Sequence, residues 1–330
     1  MNATTPTPAI PGLVMRPFRD ADDYTRLAEL ISATHRHDGI PFLPTAENLQ
    51  VEMEGSAGVN PARDVVLAEV DGALVASAGV ERVMRDGMPT FDVWGNVLPA
   101  IRRRGLGASL LAWNLRRATE RRAEEDLAAP IAAQAHAEDD EIGHRHILTD
   151  AGFESVRHFF LMRREALDDI PDAPLHDGIE IRAVTTNHHR AIFDAENEAF
   201  RDHWGSRELG EDAFRTQFAR SELDTDLWVV AWDGDQVAGV VQNWIWQEEN
   251  EQLGVRRGWL ERISVRRPWR RRGLGRALTA AALIRLREAG LDEAMLGVDS
   301  ENPTGALRLY EELGFVVDRR SAAYRRTLEP

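Results

Sequence analysis

Arg270-Arg271-Arg272-Gly273-Leu274-Gly275 is the stretch of sequence that decides the fold. The same six letters occur earlier in the chain, at Arg102-Arg103-Arg104-Gly105-Leu106-Gly107. Each copy follows a β-branched stretch that ends in Val97 or Val265, and each opens an apolar run with helical spacing. The pattern predicts a strand, a glycine-rich turn and a helix, and it predicts them twice.

Two further landmarks recur in step with these hexads. Gly12-Leu13-Val14-Met15-Arg16 corresponds to Gly178-Ile179-Glu180-Ile181-Arg182, and Ala151-Gly152-Phe153 corresponds to Leu313-Gly314-Phe315. Three landmarks at similar spacing indicate a duplicated unit. The sequence predicts a disordered leader over 1–11, a first domain over 12–166, a Pro- and Asp-rich linker over 167–177 and a second domain over 178–330.

The second copy shows its elements more clearly than the first. Asp233-Gly234-Asp235 is a hairpin signal between two apolar strands, and Gly290 and Gly314 each end a helical pattern. The predicted order is β-α-α-β-β-β-α-β-α-β, which is typical of an α/β domain with a mixed sheet and helices on its faces.

Composition narrows the possible functions. The chain has 330 residues, 43% of them hydrophobic, no cysteine and a formal net charge of −15. The absence of cysteine excludes disulfides and thiolate chemistry, and the acidic charge disfavours nucleic acid as a partner. The sequence has no membrane-spanning apolar run and no signal peptide, so it predicts a cytoplasmic protein. The histidine pairs lack ligand spacing, so no metal site is expected.

The Arg/Gly loop has the chemistry of a phosphate site. Glycines let the backbone approach an anion, and the amides at the start of a helix point towards it. The amides are expected from Gly273, Leu274, Gly275 and Arg276, and positive charge from Arg270, Arg271 and Arg272. A second cofactor site is possible in the first copy, at Val97, Arg102, Arg103, Arg104, Gly105, Leu106 and Gly107.

The loop and a later motif together resemble the GNAT superfamily of N-acetyltransferases. The later motif is Asn302-Pro303-Thr304-Gly305-Ala306-Leu307-Arg308-Leu309-Tyr310-Glu311-Glu312-Leu313-Gly314-Phe315. The resemblance covers both copies. It implies two tandem GNAT-like domains, each with a mixed, mostly antiparallel splayed sheet flanked by helices, and acetyl-CoA as the acyl donor.

The resemblance also assigns roles to residues of the second copy. Backbone groups of Ile263, Ser264 and Val265 would pair with the pantetheine arm like an added strand. Arg270 to Arg276 would hold the diphosphate, and Asn302 would contact the cofactor. Tyr310 would donate a proton to the departing thiolate; the alternative is a core aromatic.

Glu261 is the candidate general base, because acetyl transfer requires an amine that has lost its proton. It shares a strand face with Trp259, Ile263 and Val265 if no bulge intervenes. A salt bridge with Arg262 is an equally weighted alternative. Similar tandem enzymes place the catalytic glutamate nearer Trp259, and Glu248 and Glu249 are further candidates.

The first copy lacks both proton-transfer groups. Sequence spacing aligns Val93 with Glu261 and Leu148 with Tyr310, so this copy is predicted to be catalytically silent. It would bind acetyl-CoA or support the second copy. The duplication would allow a monomer to replace a homodimer.

These observations predict direct acetyl transfer from acetyl-CoA to the primary amine of a small molecule. Two alternatives stay open: a protein or peptide N-acetyltransferase, and a non-catalytic acetyl-CoA-binding module. The segment from Phe200 to Trp204 follows the first helix of the second copy, where the family places acceptor-contacting residues. A surface loop is the alternative for that segment.

Overall fold

A computed structural model of the protein describes residues 8, 10–85, 87–127, 130–206, 209–220, 223–302 and 305–328. None of the helices within these ranges combines the length and the apolar character that crossing a bilayer requires. Within the same ranges, no group of three or more His, Asp and Glu side chains is arranged to hold a metal ion.

The elements of the second copy follow the predicted order with one correction: a short helix, which the sequence did not predict, separates its third and fourth strands. In chain order they are β1 (Leu13–Pro17), α1 (Ala21–Asp38), α2 (Ala46–Gly55), α3 (Pro61–Asp64), β2 (Val65–Val70), β3 (Ala73–Arg85), β4 (Met88–Val97), α4 (Leu106–Glu124), β5 (Ile131–Glu138), α5 (Ile142–Asp150), β6 (Glu154–Arg164), β7 (Ile179–Arg182), α6 (His189–Phe200), α7 (Glu211–Phe218), β8 (Val229–Asp233), β9 (Gln236–Trp244), α8 (Gln247–Leu253), β10 (Arg257–Val265), α9 (Leu274–Glu288), β11 (Glu293–Asp299), α10 (Ala306–Glu312) and β12 (Val316–Leu328).

The chain forms two compact units, each with a six-stranded run of sheet. Unit 1 comprises 1–156 and 322–330, and its strand order is β1-β2-β3-β4-β5-β12. Unit 2 comprises 157–321, with the order β6-β11-β10-β9-β8-β7. In each unit one neighbouring pair is parallel, β4–β5 or β10–β11, and the other pairs with a defined register are antiparallel. The predicted α/β class with mixed, mostly antiparallel sheets is confirmed.

The unit boundaries differ from the predicted domain ranges at two strands. Most of β6, the last strand of the first repeat, lies in unit 2, where Arg163 Nε donates to Glu293 Oε2 of β11 at 2.8 Å. The second half of β12 lies in unit 1, where Tyr324 and Leu328 are buried in its core. The two repeats have therefore exchanged their final strands, because each strand finds its buried partners in the other repeat.

The predicted linker and leader are both partly packed. Leu167 is buried in the core of unit 2, and Ile170 and Leu175 pack against that core beside α9. Ile10, inside the predicted leader, is buried in unit 1. The remainder of the leader prediction, at 1–7 and 9, lies outside the described residues.

Unit 2 builds a separate apolar layer on each face of its sheet. On one face α9 packs through Leu278, Leu283 and Leu286, and on the other α6 packs on a tryptophan-rich surface of β8 and β9. α9 lies close to the sheet because a glycine stands at its crossing point. A Cβ on Gly239 would lie 2.8 Å from Leu278 Cδ1, inside van der Waals contact. This packing fixes the start of α9 against the end of β10.

Candidate active site

The loop between β10 and α9 has the backbone of an anion site. Arg271 and Gly273 adopt positive φ angles of 60° and 78°, and α9 begins directly afterwards at Leu274. Gly273 occupies the N-cap position, and no side chain among the described residues caps this end of the helix. The first-turn amides of a helix have no partner within the helix, so here they are left to a ligand or to water.

The arginines of this loop divide into two groups. Arg270 is turned inward: it donates to the Val265 carbonyl at 2.8 Å, the Ala199 carbonyl at 2.9 Å and Asp202 Oδ2 at 2.6 Å. Arg271 and Arg272 are exposed. The guanidinium of Arg270 therefore braces the loop, and the amides and the outer arginines face outward.

The corresponding loop of unit 1 has the same backbone shape and the same arginine contacts. Arg103 and Gly105 have φ angles of 65° and 83°, and Gly105 is the uncapped N-cap of α4. Arg102 donates to the Val97 carbonyl at 2.9 Å and to both oxygens of Asp38 at 2.6 Å. The duplicated hexad therefore gives the same backbone shape and the same inward-facing arginine in both units. In each unit an aspartate binds that arginine: Asp38 at the end of α1, and Asp202 just after α6.

β10 and β11 diverge just before this loop. Their parallel pairing runs only from Arg257 to Trp259, which stands opposite Met295. Further along β10, Arg266 N–H donates to the Ala238 carbonyl at 3.0 Å on the β9 side. Because peptide groups alternate in direction along an antiparallel strand, those of Ile263 and Val265 face the opening. Those of Ser264 face β9.

A β-bulge changes the face assigned to Glu261. The register between β10 and β9 shifts between Leu260 and Arg262, so Glu261 is the extra residue. The shared face predicted for Trp259 and Ile263 is therefore wrong: Trp259 packs in the tryptophan layer, while Ile263 packs on the α9 side. Glu261 is exposed and lies two residues beyond Trp259, the last residue of β10 paired with β11, and Trp246 Nε1 donates to its Oε1 at 3.2 Å.

The bulge also corrects the alignment of the two repeats. β4 pairs with β3 without a register shift, so unit 1 has no extra residue at this point. Counting from the matched Val97 and Val265, Val93 then corresponds to Leu260, and both are buried core residues. Glu261 has no counterpart in unit 1.

Tyr310 lies on the buried face of α10. Its side chain is 6% exposed, and its ring meets Phe315 edge-on with centroids 6.1 Å apart. No side chain or backbone group of the described residues hydrogen-bonds to its hydroxyl. Burial raises the pKa of the Tyr310 hydroxyl above its ordinary value, so the group stays protonated at neutral pH. It is a proton donor without a partner.

Leu148 is the structural equivalent of Tyr310 in unit 1. Phe153 N–H donates to the Leu148 carbonyl at 3.0 Å, as Phe315 N–H does to the Tyr310 carbonyl at 3.0 Å. Leu148 lines a cavity of about 760 Å³ that extends to the loop of Arg103 and Gly105. This cavity lies where the sequence predicts a second cofactor site. It carries the aliphatic side chain of Leu148 at the position that Tyr310 occupies in unit 2.

The remaining site residues predicted from the sequence are Asn302 and the two glutamates of α8. Asn302 lies in a turn between β11 and α10, where its amide N–H donates to the Asp299 carbonyl at 3.1 Å. Pro303 and Thr304 of the same motif lie outside the described residues. Glu248 is exposed, whereas Glu249 is buried and accepts a hydrogen bond from Trp259 Nε1 at 3.1 Å.

An ion pair between a buried glutamate and a partly exposed arginine lies directly beside the bulge, and it was not predicted from the sequence. Glu196 of α6 is 1% exposed; its Oε1 accepts from Arg262 Nε at 3.2 Å, and it also accepts from Gln242. Burial raises the pKa of Glu196. Arg262 was considered only as a partner for Glu261. Helical spacing puts Glu196 on the apolar face of α6, and a glutamate on such a face indicates a buried carboxylate that needs a partner.

This pair gives a stability prediction. Arg262→Met should lower the free energy of unfolding by about 2–3 kcal/mol, below the range for fully buried pairs because Arg262 is partly exposed. Because the pKa of Glu196 is raised in the folded state, this residue favours folding at low pH, and that contribution is lost as the pH rises. Arg262 opposes the loss because its charge stabilises the ionised carboxylate. The stability lost in Arg262→Met should therefore be larger at pH 8 than at pH 5. Urea unfolding at both pH values measures it. The double variant Glu196→Gln, Arg262→Met should regain part of the loss; equal losses in the single and double variants would contradict the pairing.

The chain is similar in sequence to known acetyltransferases. The sequence model of the acetyltransferase (GNAT) family matches residues 189–315. The chain is 29% identical to the mycothiol acetyltransferase of Geodermatophilus obscurus, over 90% of this chain and 92% of that protein. It is 31% identical to the mycothiol acetyltransferase of Salinispora arenicola, over 77% of this chain and 78% of that protein.

A solved structure shows the same fold across both units. A GCN5-related N-acetyltransferase from Sphaerobacter thermophilus covers 97% of each chain, with a TM-score of 0.73 and 26% identity. Fold and site together define an acyl-group transferase. The chain belongs to the GNAT family of acetyltransferases, and it is an N-acetyltransferase of the tandem type that includes the mycothiol acetyltransferases.

Proposed function

We propose that unit 2 transfers the acetyl group of acetyl-CoA directly to the primary amine of a small molecule. The observation that carries this proposal is the continuity of three features. The stretch of β10 that follows its pairing with β11 leads into the N-terminus of α9, and Tyr310 lies on the buried face of the helix that packs beside them.

The donor would be held by backbone groups. The amides from Arg272 to Arg276 suit the diphosphate because they have no hydrogen-bond partner within the described part of the chain and lie at the positive end of α9. The peptide groups of Ile263 and Val265 suit the amide-bearing pantetheine arm, which would pair with β10 in place of β11. Arg271 and Arg272 would add charge from outside, and Asn302 would contact the donor from the turn after β11.

Two side chains would move the protons. Glu261 is the proposed general base, because it is an exposed carboxylate on the stretch of β10 that follows its pairing with β11. The amine nitrogen bonds to the thioester carbon and gives up a proton, and the carbon–sulfur bond breaks. Tyr310 is the proposed general acid, which protonates the departing thiolate. The raised pKa of Tyr310 keeps that proton in place until the thiolate forms.

Several relatives are named mycothiol acetyltransferase, which supports a small-molecule acceptor. A peptide acceptor and a non-catalytic role in unit 2 are the alternatives. The hydroxyl of Tyr310, which has no hydrogen-bond partner among the described residues, disfavours the non-catalytic role. Unit 1 fits such a role better, because its cavity carries Leu148 at that position. We propose that unit 1 binds acetyl-CoA without turnover.

The direct test is acetyl-CoA turnover against a panel of small primary amines and short peptides, with the acetylated product identified by mass spectrometry. Released CoA can be followed with a thiol reagent, since the chain has no cysteine and gives no background. Acetylation of a small amine, abolished by Glu261→Gln, is the expected result. Tight acetyl-CoA binding with no product from any acceptor would favour the binding-module alternative.

The bracing role of Arg270 gives a separate prediction. Asp202→Asn and Arg270→Met should each weaken acetyl-CoA binding, because either change frees the loop. The two effects should overlap, leaving a coupling energy of about 1 kcal/mol in a double-mutant cycle measured by calorimetry. The matched pair in unit 1, Asp38 and Arg102, serves as the comparison. If Arg270 bound the diphosphate by charge alone, Asp202→Asn would leave the affinity unchanged or raise it.

A further inference from the structure

The segment Asp202–Trp204 contacts other elements of unit 2 through both of its end residues. It follows α6 in a turn in which His203 N–H donates to the Phe200 carbonyl at 2.9 Å. Asp202 binds Arg270 at 2.6 Å and also Arg267, both in the loop after β10. The Trp204 ring lies 6.0 Å from the ring of Phe159 on β6. The segment therefore reaches from the end of β10 towards β6.

That path crosses the opening of the proposed donor site. β11 lies between β10 and β6 in the sheet of unit 2, and Phe159 of β6 stands opposite Asp299 at the end of β11. The contacts of the segment therefore lie on both sides of β11, at a level where β10 and β11 are no longer paired. His203 is its central residue and is half-buried.

Unit 1 lacks this feature at the matching place. Asp38 and Asp202 correspond because each binds the first arginine of its hexad. Gly39 and Ile40 then stand where unit 2 has His203 and Trp204. Ile40 lines the 760 Å³ cavity, and Gly39 contributes no side chain. Unit 1 therefore has no imidazole at the position that matches His203, just as it has no counterpart of Glu261 and carries Leu148 in place of Tyr310.

We propose that His203 is a catalytic residue of unit 2 that accepts a proton from the ammonium group of the acceptor at the mouth of the donor site. This inference rests on the proposed function and extends it. An acceptor that arrives as an ammonium ion loses two protons during acetyl transfer, one before its nitrogen attacks the thioester carbon and one afterwards. One proton ends on the CoA sulfur through Tyr310, and the other is released to solvent. Two bases, His203 and Glu261, therefore each have a proton to accept.

The surroundings of His203 keep its ring available as a base. Burial lowers its pKa, and the cation of Arg270 lowers it further, as does Arg262 of β10. Asp299 of β11 and Asp202 of the same segment oppose the shift, but Asp299 is already paired with Arg157 of β6. A lowered pKa leaves the imidazole neutral at physiological pH, which a proton acceptor requires.

The first test is of position and needs no acceptor. Diethyl pyrocarbonate modifies neutral imidazoles, and peptide mass spectrometry resolves each histidine. With CoA at saturating concentration, modification of His203 should slow about tenfold or more, while exposed His37 on α1 of unit 1 should react at an unchanged rate. Equal reactivity of His203 with and without bound CoA would overturn the proposal.

The second test is the pH dependence of kcat/KM with the best amine from the acceptor panel. His203→Gln should lower kcat/KM about 10²-fold at pH 7 and remove the acidic limb that titrates below about pH 6.5. It should leave the acetyl-CoA dissociation constant unchanged. His37→Gln is the matched control and should retain the wild-type profile. An unaltered acidic limb in His203→Gln would overturn the catalytic assignment.

The two tests separate this proposal from the function on which it rests. Loss of the acidic limb together with shielding by CoA supports both. If the protein acetylates an amine and His203→Gln keeps the acidic limb of the kcat/KM profile, the proposed acetyltransferase function holds and the catalytic role of His203 is wrong. If the wild-type protein acetylates no amine, the proposed function fails and the catalytic role of His203 fails with it, whatever the shielding shows.

Discussion

Tyr310→Phe should lower kcat by about 10²- to 10³-fold and leave the acetyl-CoA dissociation constant unchanged. The change removes one oxygen from a buried ring and keeps the packing against Phe315, so it takes away the proton donor alone. Steady-state kinetics with the best acceptor, together with calorimetric titration of acetyl-CoA, measure both quantities.

The duplicated architecture supplies the control for this experiment. Leu148 occupies the equivalent position in unit 1, so Leu148→Met keeps a buried side chain of similar volume and should leave kcat unchanged. Equal losses in the two variants would show a general effect on stability. Full activity in Tyr310→Phe would show that the thiolate leaves without help from this hydroxyl.

The second large effect concerns the exchanged strands. A fragment spanning 157–321 contains β6 and should unfold cooperatively in urea, because every strand of unit 2 from β6 to β11 is present. A fragment spanning 178–330, the predicted second domain, lacks β6 and leaves β11 as an open edge. It also leaves the buried Glu293 without one of its two arginine partners, Arg163. We expect it to aggregate or to unfold without cooperativity.

The two fragments are similar in length, so size alone predicts no difference between them. Circular dichroism and urea unfolding with matched buffers decide the question. A cooperative transition in 178–330 with the midpoint of 157–321 would contradict the assignment of β6 to unit 2.

The backbone of the loop between β10 and α9 was the part of the candidate site most readily predicted from sequence. Its shape depends on local chemistry, because a glycine takes the positive φ angle at Gly105 or Gly273 and the helix follows at once. The position of Tyr310 was similarly predictable, since the Gly-Phe pair after α10 fixes the register of that helix. Both signals lie within short stretches of the chain.

What sequence reasoning missed depends on contacts between distant residues. The bulge at Glu261 adds one residue to a strand, and a single strand read alone does not reveal which residue is extra. Arg270 was expected to face the diphosphate, but its partners Ala199 and Asp202 belong to a segment nearly 70 residues earlier. The exchange of β6 and β12 was not visible because the final strands of the two repeats have similar positions and patterns.

Crystallography of the full chain with acetyl-CoA tests the central claim most directly. The account predicts a diphosphate against the amides from Arg272 to Arg276 in unit 2, with the thioester between the bulge at Glu261 and the hydroxyl of Tyr310. A donor bound only in unit 1, or a thioester in unit 2 out of reach of both side chains, would contradict it.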